Sequence, residues 1–232
     1  MVDQGLAPSR ARAQALIRAG QVTLDGRPVA KPGSRSDGTI AVAGDPNPWV
    51  SRAGLKLDHA LTVFDLCPSG VALDLGASTG GFTQVLLARG AAHVYAVDVG
   101  RGQLHAAVAS DPRVTELSGV NVRALRRGDV PEPDWITADL SFISLEKALP
   151  AALTLARPRA TLVALIKPQF EAGRGAIGKG GIVRDAAIHR AVCGRISVFL
   201  TAMGWQVIGQ TDSPIAGADG NVEFLIAARA PG

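Results

Sequence analysis

Three ionisable residues stand at the ends of apolar runs in this sequence, where their side chains could meet and do chemistry. Asp139 closes the run "WITAD", Lys167 directly follows "TLVALI", and Glu223 opens "EFLIAARA". A lysine at the end of a buried strand is costly to leave unpaired, so Lys167 should reach a cleft or a partner. Lysines and carboxylates placed together can move protons and balance charge, which is acid–base chemistry.

A second group of residues suits a nucleotide-containing ligand. The stretch "DLGASTGGF" (74–82) leads from an apolar run into a helical segment, and a strand that turns through glycines into a helix commonly holds a nucleotide. The pyrophosphate fingerprint needs a glycine where this run has Ser78, which disfavours a dinucleotide. S-adenosylmethionine has no phosphate to cradle, so this turn suits it better than a dinucleotide, and a plain strand-to-helix turn is the alternative. The expected contacts of S-adenosylmethionine in this stretch are Gly76, Ser78, Gly80, Gly81 and Phe82.

Asp98 closes the next strand candidate, "HVYAVD", and is the expected partner of a ribose. A carboxylate there can accept hydrogen bonds from both ribose hydroxyls of either cofactor, so it does not distinguish the two. Asn121 or Val122 is expected on the adenine side. Asp139 is expected beside the cofactor as well as in the chemistry.

The elements that must position these residues alternate between strands and helices from Val50 onwards. Helical segments, including 146–155 and 185–203, separate most of the strand candidates, which predicts a parallel sheet covered on both faces. The last two strands are joined by about nine residues without a helix, which is too short for a usual crossover, so the last strand should be antiparallel. This α/β pattern resembles the seven-stranded mixed sheet of Rossmann-like methyltransferases. The strand candidates are "VALDLGA", "HVYAVDVG", "VTELSG", "WITADLS", "TLVALIKP", "WQVIGQTD" and "EFLIAARA".

This arrangement predicts that the three ionisable residues share one edge of the sheet. In open parallel sheets, ligands bind beyond the carboxyl ends of the strands, where Asp139 and Lys167 lie. Because the last strand runs the other way, its start, at Glu223, lies on the same edge. Any one of the three alone would be interpreted as an ordinary ion pair, whereas three at one rim indicate an active site.

Charge is concentrated near the start of the sequence. The 232 residues carry a net charge of +4, whereas residues 9–36 hold six basic residues and one acid, Asp25. A basic end on a nearly neutral body suggests a polyanion, with nucleic acid the first candidate and a solvated basic surface the alternative. The expected RNA contacts in this segment are Arg10, Arg12, Arg18, Arg27 and Lys31.

The basic segment also predicts a small folded module. Ser9 can cap a helix through "RARAQALIRA", Gly20 can end it, and "QVTLDGRPV" has the alternation of a hairpin that turns at Asp25 and Gly26. This helix and hairpin with clustered arginines resemble the S4 RNA-binding module, which implies an α+β module that contacts phosphates. S4 modules usually carry a further basic stretch and helix before "GLA", so we expect this one to be shortened at its N-terminus.

Two prolines predict the domain boundary. Pro46 and Pro48 lack backbone donors and disfavour helix, which indicates a linker. The expected division is an S4-like module over 1–45, a linker over 46–50 and a larger α/β domain over 51–232.

Composition limits the class of protein. Hydrophobic residues make up 47% and charged residues 19% of the chain, with a mean hydropathy of +0.20, which is typical of a well-packed soluble protein. No apolar run approaches the roughly 18 residues of a membrane helix, and the first residues lack a signal-peptide core, so we expect a cytoplasmic protein. We also expect it to be a monomer. Cys67 and Cys193 are expected to be reduced and buried, and the four scattered histidines predict no metal site.

Eight motifs together resemble one family across essentially the whole chain. The resemblance is to the TlyA (haemolysin-A-like) family of rRNA 2′-O-methyltransferases, relatives of the FtsJ-type ribose methyltransferases. It implies S-adenosylmethionine-dependent methylation of a ribose, that of a cytidine, in ribosomal RNA or ribosomal subunits. The motifs are "SRAGLKL", "LDLGASTGGFT", "YAVDVGRGQL", "DPRV", "ADLSFISL", "IKPQFEAGR", "GKGGIVRD" and "GNVEFL".

The resemblance also implies a catalytic Lys-Asp-Lys-Glu tetrad. Its positions in this sequence would be Lys56, Asp139, Lys167 and Glu223, and Lys56 comes from the resemblance alone. A ribose 2′-hydroxyl must lose its proton as it attacks the methyl group, and Lys167 is the candidate base. A neighbouring cation such as Lys56 favours neutral Lys167, whereas the two carboxylates favour its charged form, so the carboxylates are expected to orient groups and balance charge.

The glycine-rich stretch "EAGRGAIGKGGIVRD" follows Lys167 closely in the sequence. Its Arg174 and Lys179 predict a basic lid that contacts RNA, with a plain flexible connection as the alternative.

Three other functions stay open from the sequence alone. The family's historical name suggests a membrane-active haemolysin, although the sequence offers no spanning helix. A ribosome assembly factor that binds RNA without catalysis is the second alternative, which the intact tetrad disfavours. A nicotinamide oxidoreductase is the third, which Ser78 disfavours.

Overall fold

The computed structural model describes most of the chain as two compact units, Met1–Pro48 and Trp49–Gly232. The described residues are 1, 6–7, 10–29, 31–33, 38–43, 47–173, 175, 178–217 and 220–232.

The smaller unit contains one helix and a three-stranded antiparallel sheet. Its elements are α1 (Arg10–Arg18), β1 (Val22–Leu24), β2 (Arg27–Pro28) and β3 (Ile40–Val42). Strand β1 pairs with both others, and the hairpin turns at Asp25 and Gly26, whose φ values of 47° and 78° are those of a tight two-residue turn. Leu16 and Val22 are buried in a small core. The predicted helix, hairpin and short strand are confirmed, and the predicted cap Ser9 lies outside the described residues.

The larger unit alternates strands and helices as the sequence predicts. Its helices are α2 (Ala53–Val63), α3 (Gly81–Ala88), α4 (Ala106–Ala109), α5 (Leu145–Leu153), α6 (Pro168–Glu171) and α7 (Ala186–Ala202). Its strands are β4 (Val71–Leu75), β5 (His93–Asp98), β6 (Val114–Ser118), β7 (Trp135–Ala138), β8 (Thr161–Ile166), β9 (Gln206–Asp212) and β10 (Phe224–Arg229).

The strands form one seven-stranded sheet in the order β6-β5-β4-β7-β8-β10-β9. Strands β4 to β8 are parallel, and β10 is antiparallel to both of its neighbours, so the predicted antiparallel last strand is confirmed. The chain runs outward from β4 to β5 and β6, and then returns to β7 on the other side of β4. The loops after β4 and β7 therefore part at the centre of the sheet, which is where open α/β sheets bind ligands.

Two apolar cores cover the two faces of this sheet. Helices α2 and α3 pack on one face, with Leu57 and Leu61 fully buried, and α5 and α7 pack on the other, with Leu149 and Ile196 fully buried. Strand β8 is buried along its whole length, as expected of a central strand covered on both sides. The apolar packing thus fixes the strand ends that carry the polar residues.

The cysteines differ in exposure, contrary to the expectation that both are buried. Cys193 lies buried on α7, where burial raises the pKa of its thiol to about 11. Cys67 is exposed, because it lies in the connection between α2 and β4, where the chain runs over the surface.

Part of the expected linker packs with the larger unit. Trp49 contacts the core beneath α2 and α3, and the Val50 backbone N–H donates to Gln84 Oε1 at 2.7 Å. The unit boundary accordingly falls between Pro48 and Trp49.

Candidate active site

The four residues of the expected tetrad line one cavity of about 440 Å³ at the carboxyl edge of the sheet. Lys56 lies on α2, Asp139 directly follows β7, and Lys167 directly follows β8. Glu223 immediately precedes β10, which begins one residue after the start that the sequence predicts. We call this the tetrad cavity. It joins elements from the whole length of the larger unit.

The tetrad consists of two ion pairs. Lys56 Nζ donates to Glu223 Oε2 at 2.5 Å, and these side chains are 10% and 3% exposed. Lys167 Nζ lies 2.6 Å from Asp139 Oδ1. Because a buried charge without a partner is strongly destabilising, each pair makes the burial of its members tolerable.

Ser141 is a further partner of Lys167, and the sequence analysis did not identify it. Lys167 Nζ donates to Ser141 Oγ at 3.0 Å. An ammonium group has three donors, of which Ser141 takes one, while the Asp139 carboxylate lies beside the group as its counter-charge. A further donor can serve an oxygen that enters the tetrad cavity. Lys167 is therefore held by the protein on one side and available to a ligand on the other.

The turn after β4 brings the backbone close to Asp139. Gly76 has a φ of +80°, and a Cβ there would lie 2.6 Å from the Asp139 carbonyl oxygen, so no other residue fits without a shift. Ser78 also has a positive φ, 47°, and its backbone N–H donates to Asp98 Oδ2 at 2.8 Å. The glycine turn thus joins the ends of β4, β5 and β7.

A second cavity of about 430 Å³ adjoins the first, and we call it the Asp98 cavity. Asp98 lines it and accepts two backbone hydrogen bonds, from Ser78 and from Gly100 at 2.7 Å. A carboxylate has about four acceptor positions, so two stay available to a ligand. Asn121 and Val122 also line this cavity, and the residues shared by both cavities are Gly76, Ser78, Asp139, Ser141 and Phe142.

Two of the residues expected to contact the cofactor lie outside both cavities. Phe82 lines the tetrad cavity, whereas Gly80 and Gly81 line neither cavity. A Cβ at Gly81 would overlap Ser51 Oγ and lie 3.0 Å from the Gly54 backbone nitrogen. Gly81 therefore allows α3 to pack closely against the start of α2, which carries Lys56.

Aromatic residues at the tetrad cavity were also missed by the sequence analysis. Phe142 is 91% exposed and has a φ of 64°, and its ring centroid lies 5.0 Å from that of Phe170. Both rings line the tetrad cavity. They belong to the motifs "ADLSFISL" and "IKPQFEAGR", whose sequence alone does not indicate that the two rings meet.

A buried carboxylate lies beneath the glycine turn. Asp74 is fully buried on β4 and accepts hydrogen bonds from Thr83 Oγ1 at 2.7 Å and Thr137 Oγ1 at 2.9 Å. Burial raises the pKa of Asp74 to about 6, although the two hydroxyl donors oppose the shift. Asp74 thereby links β4 to α3 and β7.

Glu171 connects the two loops that carry Asp139 and Lys167. Its buried Oε1 accepts from the backbone N–H of Leu145, the first residue of α5, at 2.8 Å. Arg195 on α7 donates to the Glu171 carbonyl oxygen at 2.7 Å and lies 3.2 Å from Glu146 Oε2. Burial raises the pKa of Glu171, against the effect of the Leu145 hydrogen bond. We call Glu171, Arg195 and Glu146 the α5–α7 brace.

The expected RNA contacts lie in both units. On the smaller unit Arg10, Arg18, Arg27 and Lys31 are exposed. The side chains of Arg12 and Lys179 and the whole of Arg174 lie outside the described residues. Over the described ranges, no group of three metal-binding side chains is found, and no helix has the length and apolarity to cross a membrane.

Two family models match the chain. One, described as FtsJ-like methyltransferase, covers residues 49–230, and the other, described as S4 domain, covers residues 1–37. The first therefore spans the whole sheet and both cavities.

Several relatives are similar over nearly the whole chain. The 16S/23S rRNA (cytidine-2′-O)-methyltransferase TlyA of Mycobacterium tuberculosis is 44% identical over 97% of this chain and 86% of its own length. Hemolysin A of Brachyspira hyodysenteriae is 38% identical over 96% of this chain and 95% of its own. Proteins named as rRNA methyltransferases and proteins named as hemolysins are therefore both similar in sequence to this chain.

Solved structures with a similar fold include one of similar sequence and one of distant sequence. A hemolysin-named protein from Streptococcus thermophilus has a TM-score of 0.80 and 41% identity over 99% of this chain and 86% of its own. The N-methyltransferase NodS from Bradyrhizobium japonicum has a TM-score of 0.55 over 82% of this chain and 100% of its own. At 16% identity, NodS shows the methyltransferase fold alone.

Proposed function

This chain belongs to the family of FtsJ-like methyltransferases, and from that premise we propose that it methylates the 2′-hydroxyl of a cytidine ribose in ribosomal RNA, using S-adenosylmethionine. The observation that carries the proposal is the pair of buried lysine–carboxylate contacts beside the Asp98 cavity. The substrate follows from the relative at 44% identity, which is named for cytidine-2′-O methylation of 16S and 23S rRNA.

The residues of the Asp98 cavity fit S-adenosylmethionine. Asp98 has acceptor positions left for the two ribose hydroxyls, and Asn121 and Val122 line the same cavity for the adenine. The close approach at Gly76 leaves no room for a side chain between that cavity and Asp139. When bound, the cofactor supplies an electrophilic methyl group.

Lys167 is placed to take the proton of the reacting hydroxyl. Asp139 and Ser141 hold Nζ in one position, and the remaining position on nitrogen faces the substrate oxygen. Neutral Lys167 would accept the 2′-hydroxyl proton as the oxygen–carbon bond forms, in an in-line displacement with no covalent intermediate on the protein. The Lys56–Glu223 pair balances charge in the same cavity.

The RNA partner is supported by charge and by aromatic exposure. The smaller unit, which matches the S4 domain, presents four exposed cations suited to phosphate. Phe142 offers a ring face on which an unpaired base could stack. The enzyme would act in the cytoplasm, where ribosomal subunits are found.

Mass spectrometry of ribosomal RNA tests this proposal. Ribosomal subunits are incubated with the protein and S-adenosylmethionine, and the RNA is digested to nucleosides. We expect 2′-O-methylcytidine with the wild type, a lower yield with Asp98→Ala at limiting cofactor, and none with Lys167→Ala. Methylation of a base, or binding of subunits with no methyl transfer, would contradict the proposal. The second outcome would indicate an assembly factor.

A further inference from the structure

The side chain of Gln169 has no role in the function proposed so far. It lies on α6, two residues after Lys167, and lines the tetrad cavity. Its Oε1 is buried and has no hydrogen-bond partner among the described residues. A buried polar atom without a partner is rare and requires an explanation, because it has lost water and gained nothing in exchange.

The two lysines of the tetrad cavity are each paired with a carboxylate. Lys56 is paired with Glu223, and Lys167 with Asp139. Gln169 contributes a neutral amide, with one acceptor and two donors in one plane. A planar partner that carries a donor next to an acceptor would match this amide.

Gln169 is also next to an aromatic surface. Phe170 follows it in the chain and contacts Phe142, and all three residues line the tetrad cavity. Bases taken out of a helix stack on aromatic side chains and present their pairing edge to nearby polar groups. A base attached to a ribose at Lys167 would thus have a stacking face and an amide in the same cavity.

We propose that Gln169 hydrogen-bonds to the Watson–Crick edge of the target cytosine, accepting from its 4-amino group and donating to its N3. This deepens the proposed function and rests on it. Cytosine presents its amino donor beside the N3 acceptor, which is the complement of the amide. Gln169 is then the residue that reads the base while Lys167 acts on the ribose.

A double-mutant cycle tests the contact. The cycle crosses wild type and Gln169→Met, which keeps the size and removes the amide, with two rRNA fragments. One fragment carries cytidine at the target and the other carries the cytidine analogue that lacks the 4-amino group. We expect each single change to lower kcat/KM about tenfold or more, and the two together to lower it little below Gln169→Met alone, because Gln169→Met already removes the hydrogen bond to the 4-amino group. Losses that multiply independently, or no loss from either change, would overturn the proposal.

Two further variants keep the result interpretable. Gln103→Met makes the same change in the Asp98 cavity, so it should leave the sensitivity to the 4-amino group intact. Gln169→Glu keeps an acceptor and should retain part of that sensitivity; if it responds like Gln169→Met, the assigned hydrogen bond is wrong. Failure of the wild type to methylate the cytidine fragment is a different outcome, because it contradicts the proposed function itself.

Discussion

Lys167 is the residue on which the proposed chemistry depends, and its two partners allow its role to be tested. Asp139 and Ser141 would hold a base, but they would equally hold a permanently charged group that orients the ribose. These two roles differ only in whether the side chain loses its proton.

Lys167→Arg separates the two roles. A guanidinium keeps the ion pair with Asp139 but stays protonated in proteins, so it cannot act as a base. We expect kcat to fall by about a hundredfold or more, the usual contribution of a general base, with cofactor affinity by calorimetry unchanged. Lys147→Arg, at an exposed site on α5, is the matched control. Substantial turnover by Lys167→Arg would show that Lys167 orients the ribose.

Asp74 makes stability depend on pH. Its folded pKa, about 6, is above the ordinary value of 3.8, so its contribution to stability is full below pH 3.8 and is lost as pH rises through 6. The loss is about 3 kcal/mol in total for a shift of this size, of which about 1.4 kcal/mol falls above pH 5. Asp74→Asn keeps a partner for both hydroxyls, and its free energy of unfolding should therefore fall less between pH 5 and 8 than that of the wild type.

Asp111→Asn is the control for this pH series. Arg113 lowers the pKa of Asp111 to about 2, so the contribution of Asp111 is constant between pH 5 and 8 and disappears only in acid. Urea unfolding at several pH values measures both variants. Parallel curves for the wild type and Asp74→Asn would mean that Asp74 does not titrate in this range.

Some active-site residues follow from sequence and others do not. Asp139, Lys167 and Glu223 stand at strand ends, and the topology alone predicts that they share an edge. Ser141, Phe142 and Gln169 lie in loops or short turns, where no periodic pattern indicates which side chains meet. Their contacts depend on how two loops pack together, which is a tertiary property.

At the scale of elements, the loops after β7 and β8 work as one structure. Lys167 meets Asp139 near the strand ends, Phe142 meets Phe170, and Glu171 binds the start of α5. We therefore expect the α5–α7 brace to influence the spacing of Lys167 and Asp139, although it contacts neither residue.

Glu171→Ala should loosen this pair of loops. It leaves the buried Leu145 N–H without an acceptor, which should lower the free energy of unfolding by about 1–3 kcal/mol. Because the spacing of Lys167 and Asp139 would relax, kcat should fall more than cofactor affinity does. Glu171→Gln keeps the acceptor and should recover most of both losses. Unfolding curves and single-turnover rates measure the effects.

Glu146→Gln is the control for the brace. Glu146 contacts the same arginine, but it is partly exposed and does not bind Leu145, so its loss should change stability by less than about 1 kcal/mol. Equal effects of Glu146→Gln and Glu171→Ala on kcat would show that the ion pairs with Arg195, and not the Leu145 hydrogen bond, position the loops.

The elements themselves were largely predictable. Long apolar runs such as β8 and the regular spacing on α2 and α7 have a single physical solution, burial against the sheet. The boundary near Trp49 was less predictable, because prolines indicate a break in structure but not which unit the neighbouring side chains pack against.

At the scale of the whole molecule, we expect the smaller unit to provide affinity for RNA and the larger unit to carry out methyl transfer. The smaller unit carries exposed cations and the larger unit carries both cavities. Replacing Arg10, Arg18 and Arg27 with alanine should weaken binding to an rRNA fragment and reduce the log–log salt slope by roughly 0.7–0.9 for each lost phosphate contact. Cofactor affinity should not change. Filter binding over a range of salt concentrations measures the slope.

The matched control removes the same charge from the larger unit, at the exposed Arg126, Arg190 and Arg229. This control variant should change the log–log salt slope less than the Arg10, Arg18 and Arg27 variant does. Identical slopes for the wild type and the Arg10, Arg18 and Arg27 variant would remove the RNA-docking role from the smaller unit. Arg174 and Lys179 would then be the main candidates.

The Lys56–Glu223 pair has a consequence for biosynthesis. Its members are 167 residues apart, so Lys56 is made long before the carboxylate that neutralises it. A nascent chain that has emerged only through Lys167, directly after β8, already contains the glycine turn, Asp98 and Asp139, yet it leaves Lys56 without its counter-charge. The tetrad is complete only when β10 has been synthesised and inserted between β8 and β9. An incomplete translation product would therefore contain three of the four tetrad residues without an assembled site.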